Sequence, residues 1–184
     1  MGQLVARFAK IAGAVNVIVV DVSDNRLSYV PQDSTFITVN STKEDVHEVI
    51  KKANFGKLAD IVFETTSYHP LVKEEISCLA KLGRLIITSS PKGVSNVDFH
   101  YCSGMGITII GAHNHAIHTP VGTPENPWTR QRDGKYVLQL LEKEQISFKD
   151  MITHKDNYKN AVELYELLMQ DRTQALAVHI DWRD

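Results

Sequence analysis

The sequence predicts an α/β fold built on a parallel sheet, because short apolar strands alternate with amphipathic helices of about three turns. Apolar residues recur at helical spacing from Leu4, and Gly13 ends this first helix. A segment rich in β-branched residues, 15–20, follows directly and is typical of a strand buried on both faces of a parallel sheet. A doubly wound sheet, with helices on both faces, is therefore expected.

The same alternation continues along the chain. Ser41 or Thr42 is placed to cap the second helix, and Pro70 and Gly83 are placed to begin and end the third. The segment 112–133 contains three prolines and no periodicity, which predicts an irregular loop. The strands are predicted at residues 15–20, 36–39, 59–63, 85–88, 107–110, 151–153 and 175–180. The helices are predicted at residues 4–12, 43–53, 70–82, 134–144 and 156–170.

The composition is that of an ordinary soluble globular protein, with 43% hydrophobic and 23% charged residues. A net charge of −2 gives no reason to expect a nucleic acid or a membrane surface as a partner. The two cysteines, Cys78 and Cys102, cannot form a disulfide framework, and they favour a reducing, cytoplasmic location.

The spacing of Gly2 and Asp21 is the most informative functional pattern in the sequence. A glycine that opens a helix, followed about 20 residues later by an acid at the end of a strand, is the second half of a dinucleotide-binding fingerprint. There the carboxylate binds the ribose hydroxyls and repels a 2′-phosphate, so Asp21 favours NAD over NADP. The alternative is that Asp21 only initiates a turn after the strand.

The first half of that fingerprint, a strand and two glycines, would precede residue 1. The expected fold is therefore a Rossmann-like doubly wound parallel sheet that lacks its first strand. The two strands beside the gap would have unpaired backbone groups, each costing on the order of 1–3 kcal/mol if buried. Either these strands close up on each other, or their edges pair with another chain. A marginally stable or self-associating polypeptide is expected in both cases.

Six segments, taken in order, resemble the zinc-type medium-chain dehydrogenases, and the later ones resemble the sorbitol and threonine dehydrogenase branch of that family. These segments are 2–6, 17–21 with Arg26, 59–64, 83–87, 107–111, and 152–154 with Trp182. The resemblance implies that residues 1–111 form a truncated NAD-binding domain. It also implies that residues 112–133 are an irregular loop and that residues 134–184 close onto a catalytic domain.

The resemblance covers only the cofactor-binding half of the family. The family's zinc ligands and its Gly-His-Glu segment lie in a catalytic domain that this sequence does not contain, so no catalytic or metal-binding residue is assigned here. The full enzyme would transfer a hydride between the nicotinamide and an alcohol or polyol substrate. In this chain, NAD binding is expected to be weak or lost. The family often oligomerises through residues corresponding to 107–110, which implies a homo-oligomer or pairing with a full-length subunit.

The remaining candidate cofactor-binding residues follow from the same resemblance. It places Arg26 beside the adenine, although a solvated turn charge explains that residue equally well. Polar or small residues at the carboxyl ends of three strands would line the ribose and nicotinamide side, although Ser and Thr are also common where strands end. These residues are Thr65, Thr66, Ser89, Ser90, Gly111 and Ala112.

The histidines His113, His115 and His118 have a spacing compatible with a metal site, because imidazoles bind zinc. They do not match the family's zinc ligands, and a polar loop over the cofactor is the favoured interpretation. For the whole chain, the alternative to a dehydrogenase half is a non-catalytic truncated paralogue that binds nucleotide weakly or pairs with another subunit. A different Rossmann-like class, such as a methyltransferase, is a third interpretation.

Overall fold

The structure is a computed structural model that describes residues 1–113 and 118–183. Its strands are β1 (Val17–Asp21), β2 (Phe36–Asn40), β3 (Ala59–Glu64), β4 (Leu79–Ile87), β5 (Thr108–Gly111), β6 (Ile152–Asn157) and β7 (Ala177–Asp181). Its helices are α1 (Gly2–Ile11), α2 (Asp24–Leu27), α3 (Val46–Ala53), α4 (Val72–Ser77), α5 (Phe99–Met105), α6 (Arg130–Glu142) and α7 (Ala161–Gln170). Short 3₁₀ turns span His69–Leu71, Lys149–Met151, Tyr158–Asn160 and Arg172–Gln174.

The strands form three parallel sheets with the orders β1-β2, β3-β4-β5 and β6-β7. Helices or 3₁₀ turns connect the paired strands, as parallel pairing requires. The predicted α/β, Rossmann-like fold class is confirmed. In the C-terminal unit, the stacked rings of Tyr158 and Trp182, 5.4 Å apart, tie the end of β7 to the turn after β6.

A gap separates the first two sheets. Among residues 1–113 and 118–183, β1 pairs only with β2, and β3 pairs only with β4. The first alternative for these strands, that they close up on each other, is therefore wrong for the described part of the chain. Each strand retains one unpaired edge.

A cluster of buried apolar residues lies on the β3-β4-β5 sheet. Leu79 and Leu85 of β4 are fully buried, and α4 and α5 cover them with Val72, Ile76 and Cys102. Cys78 is also buried, as a small apolar residue would be, and burial raises the pKa of its thiol to about 11. The packing thus fixes the part of the sheet that carries most of the candidate cofactor-binding residues.

The prediction that the third helix runs to Gly83 is wrong. Helix α4 ends at Ser77, and Leu79 already pairs with Ala59 in the sheet. The ladder then shifts register, and Leu82 takes a left-handed conformation with φ 63°. Complete burial of Leu79 against β3 outweighs the helical spacing of the sequence, because tertiary contacts override local propensity.

Other boundaries also differ from the sequence prediction. The N-cap of α3 is Asp45, whose carboxylate accepts from the amides of His47 and Glu48, rather than Ser41 or Thr42. Helices α2 and α5 were not predicted. Each is too short to show a helical spacing of apolar residues, and each begins at a side-chain cap, Ser23 or Asp98. The predicted irregular loop ends early, since α6 begins at Arg130 with Thr129 as its cap.

Candidate functional site

The N-terminus of α1 lies between the carboxyl ends of β1 and β3. A Cβ atom on Gly2 would be only 3.2 Å from Thr65 Oγ1, just after β3. On the other side, Gln3 Nε2 donates to the carbonyl of Arg26, shortly after β1, at 3.0 Å. The first-turn amides of a helix have no partner within the helix, and they carry its partial positive charge. The structure therefore directs an anion-attracting helix end at the cleft between the two sheets.

Asp21 is the last residue of β1 and is half-buried at the edge of this cleft. Its Oδ1 accepts from the amide of Ser23 at 3.0 Å, which orients the carboxylate. Its Oδ2 makes no hydrogen bond to the residues that the structure describes. The geometry is therefore compatible with both interpretations of Asp21. Oδ1 stabilises the turn after β1, and Oδ2 can accept a hydrogen bond from a ligand hydroxyl.

Arg26 points toward the C-terminal unit. Its Nη2 donates to the carbonyl of Arg172 at 2.8 Å, and the neighbouring Asn25 Nδ2 donates to the carbonyl of Thr173 at 2.7 Å. These contacts dock α2 onto the 3₁₀ turn that precedes β7. The predicted position of Arg26 beside an adenine remains a prediction, and its guanidinium is already engaged here.

Glu64 lies in the cleft wall at the end of β3, and it was not among the site residues predicted from the sequence. Its side chain is fully buried at the end of β3. Oε1 accepts from the amide and hydroxyl of Thr66 at 2.7 and 2.9 Å and from the amide of Ser67 at 2.8 Å. Oε2 accepts from the hydroxyl of Ser89, after β4. One carboxylate thus joins the loops that follow two neighbouring strands and brings Thr66 and Ser89 together.

Hydrogen bonding decides the charge of this carboxylate. Burial acts to raise the pKa of Glu64, but the donors Ser89, Thr66 and Ser67 outweigh burial and leave the pKa below its usual value. Glu64 is therefore ionised at neutral pH.

A second carboxyl group, Glu75 of α4, lies close enough to Glu64 to feel its charge. Burial, and then repulsion from Glu64, raises the pKa of Glu75 to about 7. Its Oε2 is buried and has no hydrogen-bond partner among the described residues. Near neutral pH this group is therefore divided between its neutral and charged forms.

The other candidates lie along the same edge of the β3-β4-β5 sheet. Gly111 pairs with Ile87 in register, and the amide of Ala112 donates to the carbonyl of Ile87 at 2.8 Å. Ser90 follows Ser89 and is exposed. The structure thus aligns the ends of β3, β4 and β5, whereas Asp21 and Arg26 lie across the gap, at the end of β1.

The histidine cluster is not assembled among the described residues. His118 Nε2 contacts Asp133 Oδ2 at 2.5 Å, which fixes the loop to α6. His113 is exposed just after β5, and His115 lies outside the described residues. Within the ranges 1–113 and 118–183, no group of three or more His, Cys, Asp or Glu side chains is placed to hold a metal ion. The residues described here therefore do not fit the family's zinc, and no chemistry is assigned to it.

Two site residues, Glu64 and Gln3, could have been found from weak signals. An acid at the end of an apolar strand, followed by Thr-Thr-Ser, has local donors within reach. Gln3 is polar yet buried, and its Oε1 has no hydrogen-bond partner in the described structure.

No helix in the described part of the chain is both long and apolar enough to cross a membrane.

Comparison with known proteins agrees with this architecture. The chain is 28% identical over 171 residues to a D-xylulose reductase of Scheffersomyces stipitis. The matched region covers 91% of this chain and 45% of that protein. The chain therefore spans about half the length of the curated relatives it matches. Benzyl alcohol dehydrogenase of Acinetobacter calcoaceticus superposes with a TM-score of 0.81 at 18% identity, over 99% of this chain and 47% of that one.

An alcohol dehydrogenase of Escherichia coli complexed with NADH superposes with a TM-score of 0.77 at 16% identity, over 98% of this chain and 49% of that one. At these identities the two superpositions show the fold. The family model described as "Zinc-binding dehydrogenase" matches residues 1–120, so the resemblance found in the sequence is confirmed. The chain belongs to the zinc-binding dehydrogenase family.

Proposed function

We propose that this chain is the nucleotide-binding half of a zinc-type alcohol or polyol dehydrogenase and that it binds NADH in preference to NADPH. The observation that carries the proposal is the position of the α1 N-terminus between the ends of β1 and β3, with Asp21 at the end of β1. In open α/β sheets, ligands bind beside the carboxyl ends of the strands. The resemblance to a dehydrogenase complexed with NADH supports the choice of cofactor.

Each part of the cofactor can be assigned to a different group of residues. The α1 N-terminus would hold the pyrophosphate, and Asp21 would accept from the ribose hydroxyls. The aligned ends of β3, β4 and β5, which Glu64 partly fixes, would border the nicotinamide. NADH, when bound, supplies the hydride. The substrate hydroxyl and the zinc that polarises it would be held by residues outside this sequence, so the chain alone would not catalyse the reaction.

Binding by the chain alone is expected to be weak. A complete fingerprint places a glycine-rich turn between the first strand and the helix, and here only Gly2 of that turn is present.

Both cysteines are free and buried, which supports a reducing, cytoplasmic location.

We expect a calorimetric titration of the chain to show saturable NADH binding and weaker NADPH binding. Asp21→Ala should lower NADH affinity about 10- to 100-fold, because a hydrogen bond to a charged group contributes about 1.5–3 kcal/mol. The same change should narrow or reverse the preference for NADH, since the repulsion of a 2′-phosphate is removed.

Asp60→Ala is the matched control for this titration. Asp60 is an exposed acid near the start of β3, away from the cleft, so its removal should leave NADH affinity within about twofold. The absence of saturable binding of either nucleotide would contradict the proposal. So would an equal loss of affinity in both variants.

A further inference from the structure

Three bulky apolar side chains are exposed at the amino ends of the strands, opposite the cleft at the carboxyl ends. Val15 precedes β1 and is 81% exposed, and Phe55 precedes β3 and is 95% exposed. Leu82 is 72% exposed and lies where β4 shifts its register against β3. Large apolar side chains that stay in water without a partner in the fold are candidates for an interaction surface.

Two hydrogen bonds connect the segments that carry these side chains. Asn16 Nδ2 donates to the carbonyl of Ala53 at 2.8 Å, which joins the start of β1 to the end of α3, next to Phe55. Asn54 Nδ2 donates to the carbonyl of Leu58 at 2.8 Å, and Leu58 directly precedes β3, the strand beside β4. The three side chains therefore belong to one end of the molecule, on loops that the fold holds in place.

The backbone at Phe55 adds a second observation. Phe55 has a left-handed conformation, with φ 53°, which is uncommon for any residue except glycine and an outlier for a bulky one. Glycine would adopt this conformation without strain. Because the ring of Phe55 buries almost nothing in the fold, folding explains neither the side chain nor its strained position. An exposed and strained residue of this kind is a reason to look for a partner outside the chain.

Cations surround these apolar side chains. The segments 51–60 and 79–84 contain five lysines or arginines and one acid, Asp60. Four of these cations are exposed and are not paired with any carboxylate in residues 1–113 and 118–183. They are Lys52, Lys57, Lys81 and Arg84. The chain as a whole has a net charge of −2, so this positive charge is a local excess.

We propose that this end of the molecule binds the surface of an anionic membrane. We call it the basal face, and its residues are Val15, Lys52, Phe55, Lys57, Lys81, Leu82 and Arg84. Phe55 and Leu82 enter the boundary between the headgroups and the acyl chains, and the cations contact the anionic headgroups. An anionic membrane matches both features of the basal face, because it offers negative charge at its surface and an apolar layer beneath.

The composition of the basal face favours a membrane over a nucleic acid. Single-stranded nucleic acids are bound by several aromatic side chains on which successive bases stack. Of the three apolar side chains here, Phe55 alone is aromatic, and Val15 and Leu82 offer no surface for stacking. Because nucleotides bind at the carboxyl ends of the strands, docking through the amino ends leaves the cleft open. The inference therefore does not depend on NADH binding.

The test is sedimentation of the chain with lipid vesicles. We expect binding to vesicles of phosphatidylcholine mixed with phosphatidylserine, and little binding to vesicles of phosphatidylcholine alone. Binding should weaken as the salt concentration rises, because salt screens the attraction between exposed charges. Absence of binding to the mixed vesicles would overturn the proposal, as would equal binding to both kinds of vesicle.

Phe55→Gly tests the apolar contact. It should lower affinity for the mixed vesicles about tenfold, because the inserted ring is lost. Its stability in urea should be kept, since glycine fits the left-handed backbone at this position. Met169→Ala is the matched control, because Met169 is 86% exposed on α7, outside the basal face, and its removal should change affinity by less than about twofold. Equal losses in the two variants would refute the assignment.

Lys57→Gln with Lys81→Gln tests the charge contact. Each lysine should contribute about fivefold to vesicle affinity, so the double variant should bind at least about tenfold more weakly. Lys135→Gln with Lys143→Gln changes the net charge equally, at exposed positions on α6 and just after it, and should leave affinity within about twofold. An equal effect of the two double variants would show that net charge alone drives binding, and would refute the basal face.

Two further measurements address other occupants of the same face. A labelled single-stranded oligonucleotide that binds the wild type, and not Lys57→Gln with Lys81→Gln, would overturn the membrane assignment if vesicles do not bind. Sedimentation velocity without lipid should find Phe55→Gly and the wild type alike. Dissociation of a wild-type oligomer in Phe55→Gly would identify the basal face as a contact between copies of this chain and would also overturn the proposal.

Discussion

Replacing Glu64 with alanine is expected to destabilise the protein by about 2–4 kcal/mol. The change removes a fully buried carboxylate that accepts from the amides of Thr66 and Ser67 and from two hydroxyls. Hydrogen bonds to a charged acceptor contribute about 1.5–3 kcal/mol each, although exposed parts of the two loops would regain water as partners. Since a domain of this kind has a total stability of about 5–15 kcal/mol, this is a large fraction.

Urea denaturation at pH 7 measures this loss. Glu64→Gln should cost less than Glu64→Ala, because the amide oxygen can still accept from Thr66 and Ser67. Glu74→Ala is the control, since Glu74 is an exposed acid on α4 whose removal should change stability by no more than about 0.5 kcal/mol. If Glu64→Ala and Glu74→Ala destabilised the protein equally, the role given to Glu64 would be wrong.

The local consequence of the same change can be followed separately. In Glu64→Ala, the amides of Thr66 and Ser67 should exchange hydrogen faster, while those of the β1-β2 sheet should be unaffected. If NADH binds as proposed, its affinity should also fall in this variant, because the ends of β3 and β4 would no longer be held together. These two measurements distinguish loosening of the cleft from general unfolding.

The positions of most strands along the chain could be predicted from the sequence, because most of these strands are apolar runs between polar turns. The prediction failed at β4, where a long-range contact, Leu79 with Ala59, replaces the helix that local spacing indicated. No pattern near residue 79 reports this contact, since it depends on the position of a strand 20 residues earlier in the chain.

The spacing of Gly2 and Asp21 predicted that both would border one cleft, and their role in binding a nucleotide stays a prediction. The role of Glu64 could not be predicted, because it arises from the meeting of two loops that are 22 residues apart at Ser67 and Ser89. The interpretation of Arg26 was open for a similar reason: only the fold shows that the 3₁₀ turn before β7 supplies its carbonyl partner.

Glu75 should make the stability of the protein fall as the pH rises from about 4.5 to about 7. Its pKa of about 7 in the folded protein lies above the ordinary value of 4.5, so between these two pH values the folded state binds more protons than the unfolded state. This stabilisation is complete below about pH 4.5 and is lost as the pH rises through 7. At one pKa unit per 1.36 kcal/mol, and with solvent screening of this partly exposed side chain, its full size is at most about 3 kcal/mol.

Glu75→Gln replaces the protonated carboxyl with a neutral group of the same shape and should remove this pH dependence. Urea denaturation at pH 4 should find the variant and the wild type similar, whereas at pH 8 the variant should be more stable by about 2–3 kcal/mol. Glu74→Gln, an exposed neighbour on the same helix, should follow the wild-type profile. Because Glu64 supplies the repulsion that adds to burial, Glu64→Gln should lower the pKa of Glu75 and shift the loss of stability to lower pH. A profile of Glu75→Gln parallel to that of the wild type would show that Glu75 is already ionised at pH 5 and that its carboxylate is solvated rather than buried beside Glu64.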